Sequence, residues 1–101
     1  MTKDDDLKIP MLIREKVISI LKRHGARKIS IFGSYIRGEA TPDSDLDVLV
    51  EFPEAKGLIK FIGIENELSE TLGIKVDLLT EKGISPYLVE RIKKEAIVIY
   101  E

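Results

Sequence analysis

The stretch Lys28-Ile29-Ser30-Ile31-Phe32-Gly33-Ser34-Tyr35-Ile36-Arg37-Gly38, followed after a short spacer by Thr41-Pro42-Asp43-Ser44-Asp45-Leu46-Asp47-Val48-Leu49-Val50-Glu51-Phe52, decides how the chain is read. Its first five residues alternate with the period of a strand, and that strand runs into Gly33-Ser34 without a linker. Tyr35 to Gly38 suits one short helical turn. Thr41 to Ser44 is a turn by composition, and the run from Leu46 to Phe52 predicts a second strand.

Upstream, Pro10 opens a helix over residues 10–24 in which Ile13, Val17, Ile20 and Leu21 share a face, with His24-Gly25 as its ending. Downstream, Pro53 and Gly57 bracket a loop. Leu58, Phe61, Ile62, Ile64, Leu68 and Leu72 then recur at helical spacing up to Gly73. Ile74 to Leu79 predicts a third strand, carrying a single acid, Asp77. Ser85 caps a helix that begins at Pro86 and turns Leu88, Val89 and Ile92 inward, and Ala96 to Tyr100 reads as a last strand. The order αβ(α)βαβαβ predicts a two-layer α/β (α+β) fold, a small mixed sheet with helices. The sequence predicts a flexible acidic N-terminus over residues 1–9, with three consecutive aspartates, and a single domain over residues 10–101.

With 101 residues the chain has room for one domain, and its 44% hydrophobic and 34% charged residues supply one core under a charged exterior. Sixteen basic residues against 18 acidic ones leave a net charge of −2, without the basic excess that draws proteins onto phosphate backbones, so direct nucleic-acid binding is not expected. The absence of cysteine excludes a thiol nucleophile, a zinc finger and a disulfide scaffold, leaving oxygen ligands or His24 for any metal. Apolar runs of about five residues are far too short for a membrane span, and the N-terminus has no apolar signal region. A cytoplasmic location follows as the expectation. Fifteen isoleucines, eleven glutamates and eleven lysines beside one asparagine and no glutamine suit a thermophile.

Three groups of residues can carry chemistry. Gly33-Ser34 ends a strand and starts a helical turn. There a glycine lets a phosphate approach the backbone, and a hydroxyl with the N–H groups of a helix start attracts anionic oxygens; the plainer alternative makes Ser34 an N-cap. Asp45 and Asp47 stand two apart at the opening of the second strand, so their carboxylates share a face while Leu46 and Val48 pack on the other. Such a pair is a hard oxygen site suited to the magnesium of a nucleotide, unless Asp45 is a turn residue and Asp47 a surface position. Asp77 sits in an apolar strand, where a carboxylate needs either an edge position or a cation. If the strands from 46 and 74 are neighbours, the three acids can surround two divalent cations, the arrangement that stabilises attacking and leaving oxygens in nucleotidyl transfer.

Gly33-Ser34-Tyr35-Ile36-Arg37-Gly38, Ser44-Asp45-Leu46-Asp47-Val48-Leu49-Val50 and Val76-Asp77-Leu78-Leu79 together resemble the polymerase-beta type nucleotidyltransferase superfamily, and within it the minimal nucleotidyltransferase (MNT) branch. The resemblance covers nearly the whole chain and implies a nucleotidyltransferase core. It implies that Gly33 and Ser34 hold the triphosphate of ATP, that Asp45 and Asp47 bind magnesium (two ions), and that Asp77 completes the metal site and helps activate the incoming hydroxyl. Arg37 matches the basic residue of the family's Gly-Ser-x-x-Arg-Gly and would contact phosphate or partner; otherwise it is a surface arginine over the turn. The resemblance further implies an antitoxin that transfers AMP from ATP to a hydroxyl, a tyrosine, of a HEPN-domain toxin. A homo-oligomer is compatible with it, and no membrane partner is expected.

Other functions compete with that one. A binding module with an intact-looking site would neutralise its partner without chemistry, and a third reading is transfer to a small-molecule hydroxyl, for which a substrate-binding domain after Glu101 would be needed and is not expected. A haloacid-dehalogenase-like phosphatase would carry its acids at the end of the first strand, whereas Asp45 and Asp47 begin theirs. His24 at a helix end and the Arg91, Lys93, Lys94 run are read as a helix-dipole partner and a solvated face.

Overall fold

The computed structural model describes residues 9–101. Four helices, α1 (Met11–Arg23), α2 (Ser34–Arg37), α3 (Leu58–Leu72) and α4 (Pro86–Glu95), alternate with four strands, β1 (Lys28–Phe32), β2 (Leu46–Glu51), β3 (Val76–Leu79) and β4 (Ile97–Tyr100). Among the described residues, the one element the pattern did not predict is a 3₁₀ turn over Glu81–Gly83. Strand order is β3-β2-β1-β4, with β1 antiparallel to both of its neighbours and β2 parallel to β3, so the sheet is mixed as expected. The parallel pair needs a crossover, and α3 supplies it.

Alternation along the strands sorts side chains to two faces. Ile29, Ile31, Leu46, Val48, Val50, Val76, Leu78 and Ile99 meet Val17, Ile20 and Leu21 of α1 and Ile64 and Leu68 of α3 in the main core. On the opposite face Phe32 and Leu49 pack with Ile92 of α4, flanked by Leu79, Ile84 and Ala96. Both faces of β1 are thus covered, which is why Ile29 to Phe32 are all buried. Ile9, which the sequence reading assigned to the acidic segment, joins the main core, whereas residues 1–8 of that segment lie outside the described residues.

Helix ends follow local chemistry. Pro10 precedes α1, Gly73 closes α3 in the left-handed conformation (φ 71°), and Ser85 Oγ accepts from Leu88 N–H at 3.3 Å ahead of Pro86. Leu88, read as inward, is 43% exposed, and Leu58 and Ile62 of the helical pattern are 74% and 45% exposed. The apolar stripe of α3 starts one turn before the helix reaches the sheet, and on α4 only Val89 and Ile92 face inward. The outer edge of β3 is closed by α3, since Val76 N–H donates to Ser69 Oγ (3.0 Å) and Leu78 N–H to Glu65 Oε2 (2.8 Å). No helix among the described residues is long and apolar enough to cross a membrane.

Candidate active site

Gly33 joins β1 to α2 with φ 83° and ψ −155°, a region that side-chain-bearing residues essentially never occupy. Its carbonyl accepts from Ile36 N–H (3.0 Å) and Arg37 N–H (3.1 Å) and so starts the helix itself. The capping position therefore belongs to Gly33, and Ser34 is the first residue of α2 rather than its cap, which removes the plainer reading of that serine. A Cβ built on Gly33 would overlap Asp47 Oδ2 and lie 3.1 Å from Asp47 Cγ. The turn and the second aspartate of the Asp-x-Asp are thus in direct contact, an approach only glycine permits.

Register brings the acids together. Asp47 pairs with Phe32 across the antiparallel β1–β2 ladder and with Asp77 across the parallel β2–β3 ladder, so the two carboxylates lie side by side on one face. Asp77 therefore meets its edge reading, since β3 is an edge strand, and it stands beside a second acid. Burial, then the negative charges of Asp77 and Asp45, push the Asp47 carboxyl up to about 6, and it hydrogen-bonds with Asp77; Arg37 works in the opposite direction. Asp45 stands just before β2, where Leu46 N–H donates to the Lys75 carbonyl at 2.8 Å, and its Oδ2 lies 3.7 Å from Lys75 Nζ.

Among the described residues no three ligating side chains are already closed around a cation position. The donor set nonetheless fits a hard dication. It consists of carboxylate oxygens alone, and the Asp47 carboxyl, raised by burial and then by its acidic neighbours, is one whose charge a cation would stabilise. Lys75 supplies a weaker substitute at the Asp45 end.

Arg37 is bridged by two carboxylates, its Nε donating to Glu39 Oε1 (2.7 Å) and its Nη1 to Glu95 Oε1 (2.6 Å), and these bonds raise its pKa further. Glu95 Oε2 also accepts from Gly33 N–H at 3.0 Å. Burial opposes the charge of Glu95, but the bonds from Arg37 and Gly33 prevail and hold its carboxyl below the usual range. Sequence reasoning missed both Glu95 and Lys75. Glu95 lies 62 residues from Gly33 and stands in a run of lysines, so no local pattern marks it.

His24 bonds Glu67 through Nε2 (2.9 Å), and Arg23 pairs with the same carboxylate, which ties the end of α1 to α3 and leaves both away from the acids. Lys93 of the basic run pairs with Glu81 at 2.6 Å, while Arg91 and Lys94 are exposed. Two concavities, about 330 Å³ beside Lys28, Ser30 and Lys93 and about 460 Å³ beside Phe52, Leu58 and Phe61, open near Glu51, at the end of β2 opposite Asp45. Neither adjoins the aspartates.

Residues 14–99 match the family model described as nucleotidyltransferase domain. The chain is 39% identical over 97 residues to the protein adenylyltransferase MntA of Thermococcus cleftensis, an alignment covering 88% of this chain and 98% of that protein. A solved structure of a candidate minimal nucleotidyltransferase superposes with a TM-score of 0.74 at 45% identity, over 83% of this chain and 86% of the other. The same fold recurs in the MNT antitoxin complexed with a tri-AMPylated HEPN toxin of Shewanella oneidensis, with a TM-score of 0.74 over 89% of this chain and 71% of that one; at 22% identity this is a likeness of fold alone.

Proposed function

We propose, from the premise that the chain belongs to the nucleotidyltransferase domain family and is a nucleotidyltransferase, that it transfers AMP from ATP to a tyrosine hydroxyl of a HEPN-domain toxin and acts as the antitoxin. The observation that carries this reading is the register that sets Asp47 opposite Asp77 while Gly33 touches Asp47. It puts the Gly33-Ser34 turn and the Asp47 and Asp77 carboxylates at one end of the sheet, the arrangement that this reading requires. The relatedness to a protein adenylyltransferase favours a protein acceptor, and the toxin complex of the same fold favours a HEPN protein.

In this reading Gly33 lets the triphosphate approach the backbone and Ser34 Oγ donates to it. Asp45, Asp47 and Asp77 would hold magnesium, which when bound neutralises triphosphate charge. The acceptor oxygen bonds to the α-phosphorus, the bond to pyrophosphate breaks, and the hydroxyl proton passes to Asp77. ATP supply places the reaction in the cytoplasm.

The test incubates the protein with ATP, magnesium and the HEPN-domain protein of the same genome. Mass spectrometry should show the toxin gaining increments of about 329 Da, one per AMP covalently attached. Suppression of the toxin in a tight complex without any increment would sink the enzymatic reading and leave neutralisation by binding.

A further inference from the structure

We propose that Glu95 is a positioning residue for the nucleotide: its carboxylate clamps both ends of the turn from Gly33 to Arg37 and so holds Ser34 in place. The inference rests on the reading of Gly33-Ser34 as the triphosphate turn. One oxygen of Glu95 takes the Gly33 N–H and the other takes Arg37 Nη1, so a single carboxylate reaches the residue before α2 and the last residue within it. A helix of four residues cannot sustain itself, because the first turn costs more conformational entropy than its one hydrogen bond returns. Packing supplies only part of the difference: Tyr35 and Ile36 lie half-buried against the main core, but no residue of α2 is fully buried, and Glu95 holds both ends of the turn.

Arg37 fits this role better than that of a direct phosphate ligand. Its Nε and Nη1 are engaged by Glu39 and Glu95, and the guanidinium is held from two sides. Gly33 N–H is likewise committed to Glu95, so the serine hydroxyl is foremost among the groups the clamp presents, beside the N–H groups that open α2. Glu95 itself ends α4 one residue ahead of β4, the strand beside β1, so the clamp connects the turn to the sheet.

The test combines calorimetry of magnesium–ATP binding with steady-state transfer kinetics for the wild type, Glu95→Ala, Ser34→Ala and the double variant. Glu95→Ala should weaken ATP binding and raise its KM about tenfold, while the rate at saturating ATP falls less than about threefold. The double variant should bind within about twofold of the weaker single one, because both changes remove the same serine contact. Glu95→Gln, nearly isosteric, carries the same test should the alanine variant not fold, with a rise of about threefold from the lost charge on Arg37. Affinity within about twofold of wild type in the folded Glu95 variant, additive effects in the double variant, or a loss confined to kcat would each overturn the clamp. A wild type that binds no ATP would overturn the triphosphate reading and the clamp with it, whereas wild-type binding with an indifferent Glu95 overturns the clamp alone.

Discussion

Asp47 and Asp77 stand directly opposite each other in the parallel pairing of β2 and β3, and Asp47 is raised to about 6 by burial and by its acidic neighbours. Like charges at this separation are unfavourable without a proton or a cation between them. Their persistence on one face is therefore a statement about what the site receives, and the consequences can be measured.

Replacing Asp47 by Asn keeps the side-chain shape and removes the charge. The variant should fold and bind magnesium–ATP at least about tenfold more weakly, since an amide is a poorer ligand for a hard dication. Calorimetry returning the wild-type affinity would defeat the assignment of Asp47 to the metal.

The pH dependence has a definite sign. Asp47 titrates in the folded state near 6, above the ordinary carboxylate value, so the stability it contributes is present below about pH 4 and lost as pH rises through about 6. Half-buried Glu51, Glu67 and Glu95 are shifted the other way and gain with rising pH, so the wild-type curve alone mixes the two. Subtracting the wild-type Tm from that of Asp47→Asn isolates the group. The difference should climb between about pH 4 and about pH 7, and magnesium should raise the wild-type Tm more at the upper end. A flat difference would show that Asp47 is not crowded as described.

Gly33→Ala tests the contact between turn and acid. The added methyl meets Asp47 Oδ2, and the backbone conformation is one that alanine resists, at a cost of about 1–3 kcal/mol. We expect a lower Tm together with lost ATP binding. A variant of unchanged stability that binds ATP normally would mean that the turn relaxes freely.

Asp77→Ala should separate binding from chemistry. Its proposed action is on the attacking hydroxyl, so transfer should fall by about a hundredfold or more while ATP affinity changes far less. Parallel losses in Kd and rate would return Asp77 to a purely ligating role.

Much of this protein was legible before any tertiary contact was known. The alternation of Lys28 to Phe32, the spacing of Asp45 and Asp47 and the Ser85-Pro86 helix start are short-range signals. Backbone geometry repeats every two or 3.6 residues, so neighbours in sequence report their own conformation. Those same signals placed Gly33-Ser34 at a strand end and put the two acids on one face. What lay beyond them required the chain to close on itself. That β3 pairs with β2 in parallel, with Asp77 opposite Asp47, follows from where α3 packs across the sheet. That Glu95 reaches Gly33 and Arg37 follows from β4 pairing with β1, and that Leu58, Ile62 and Leu88 stay exposed follows from where the helices leave the sheet. Each of these depends on which distant surfaces bury one another, and hydrophobic burial is non-directional, so periodicity identifies the face that must be covered without naming the residues that cover it.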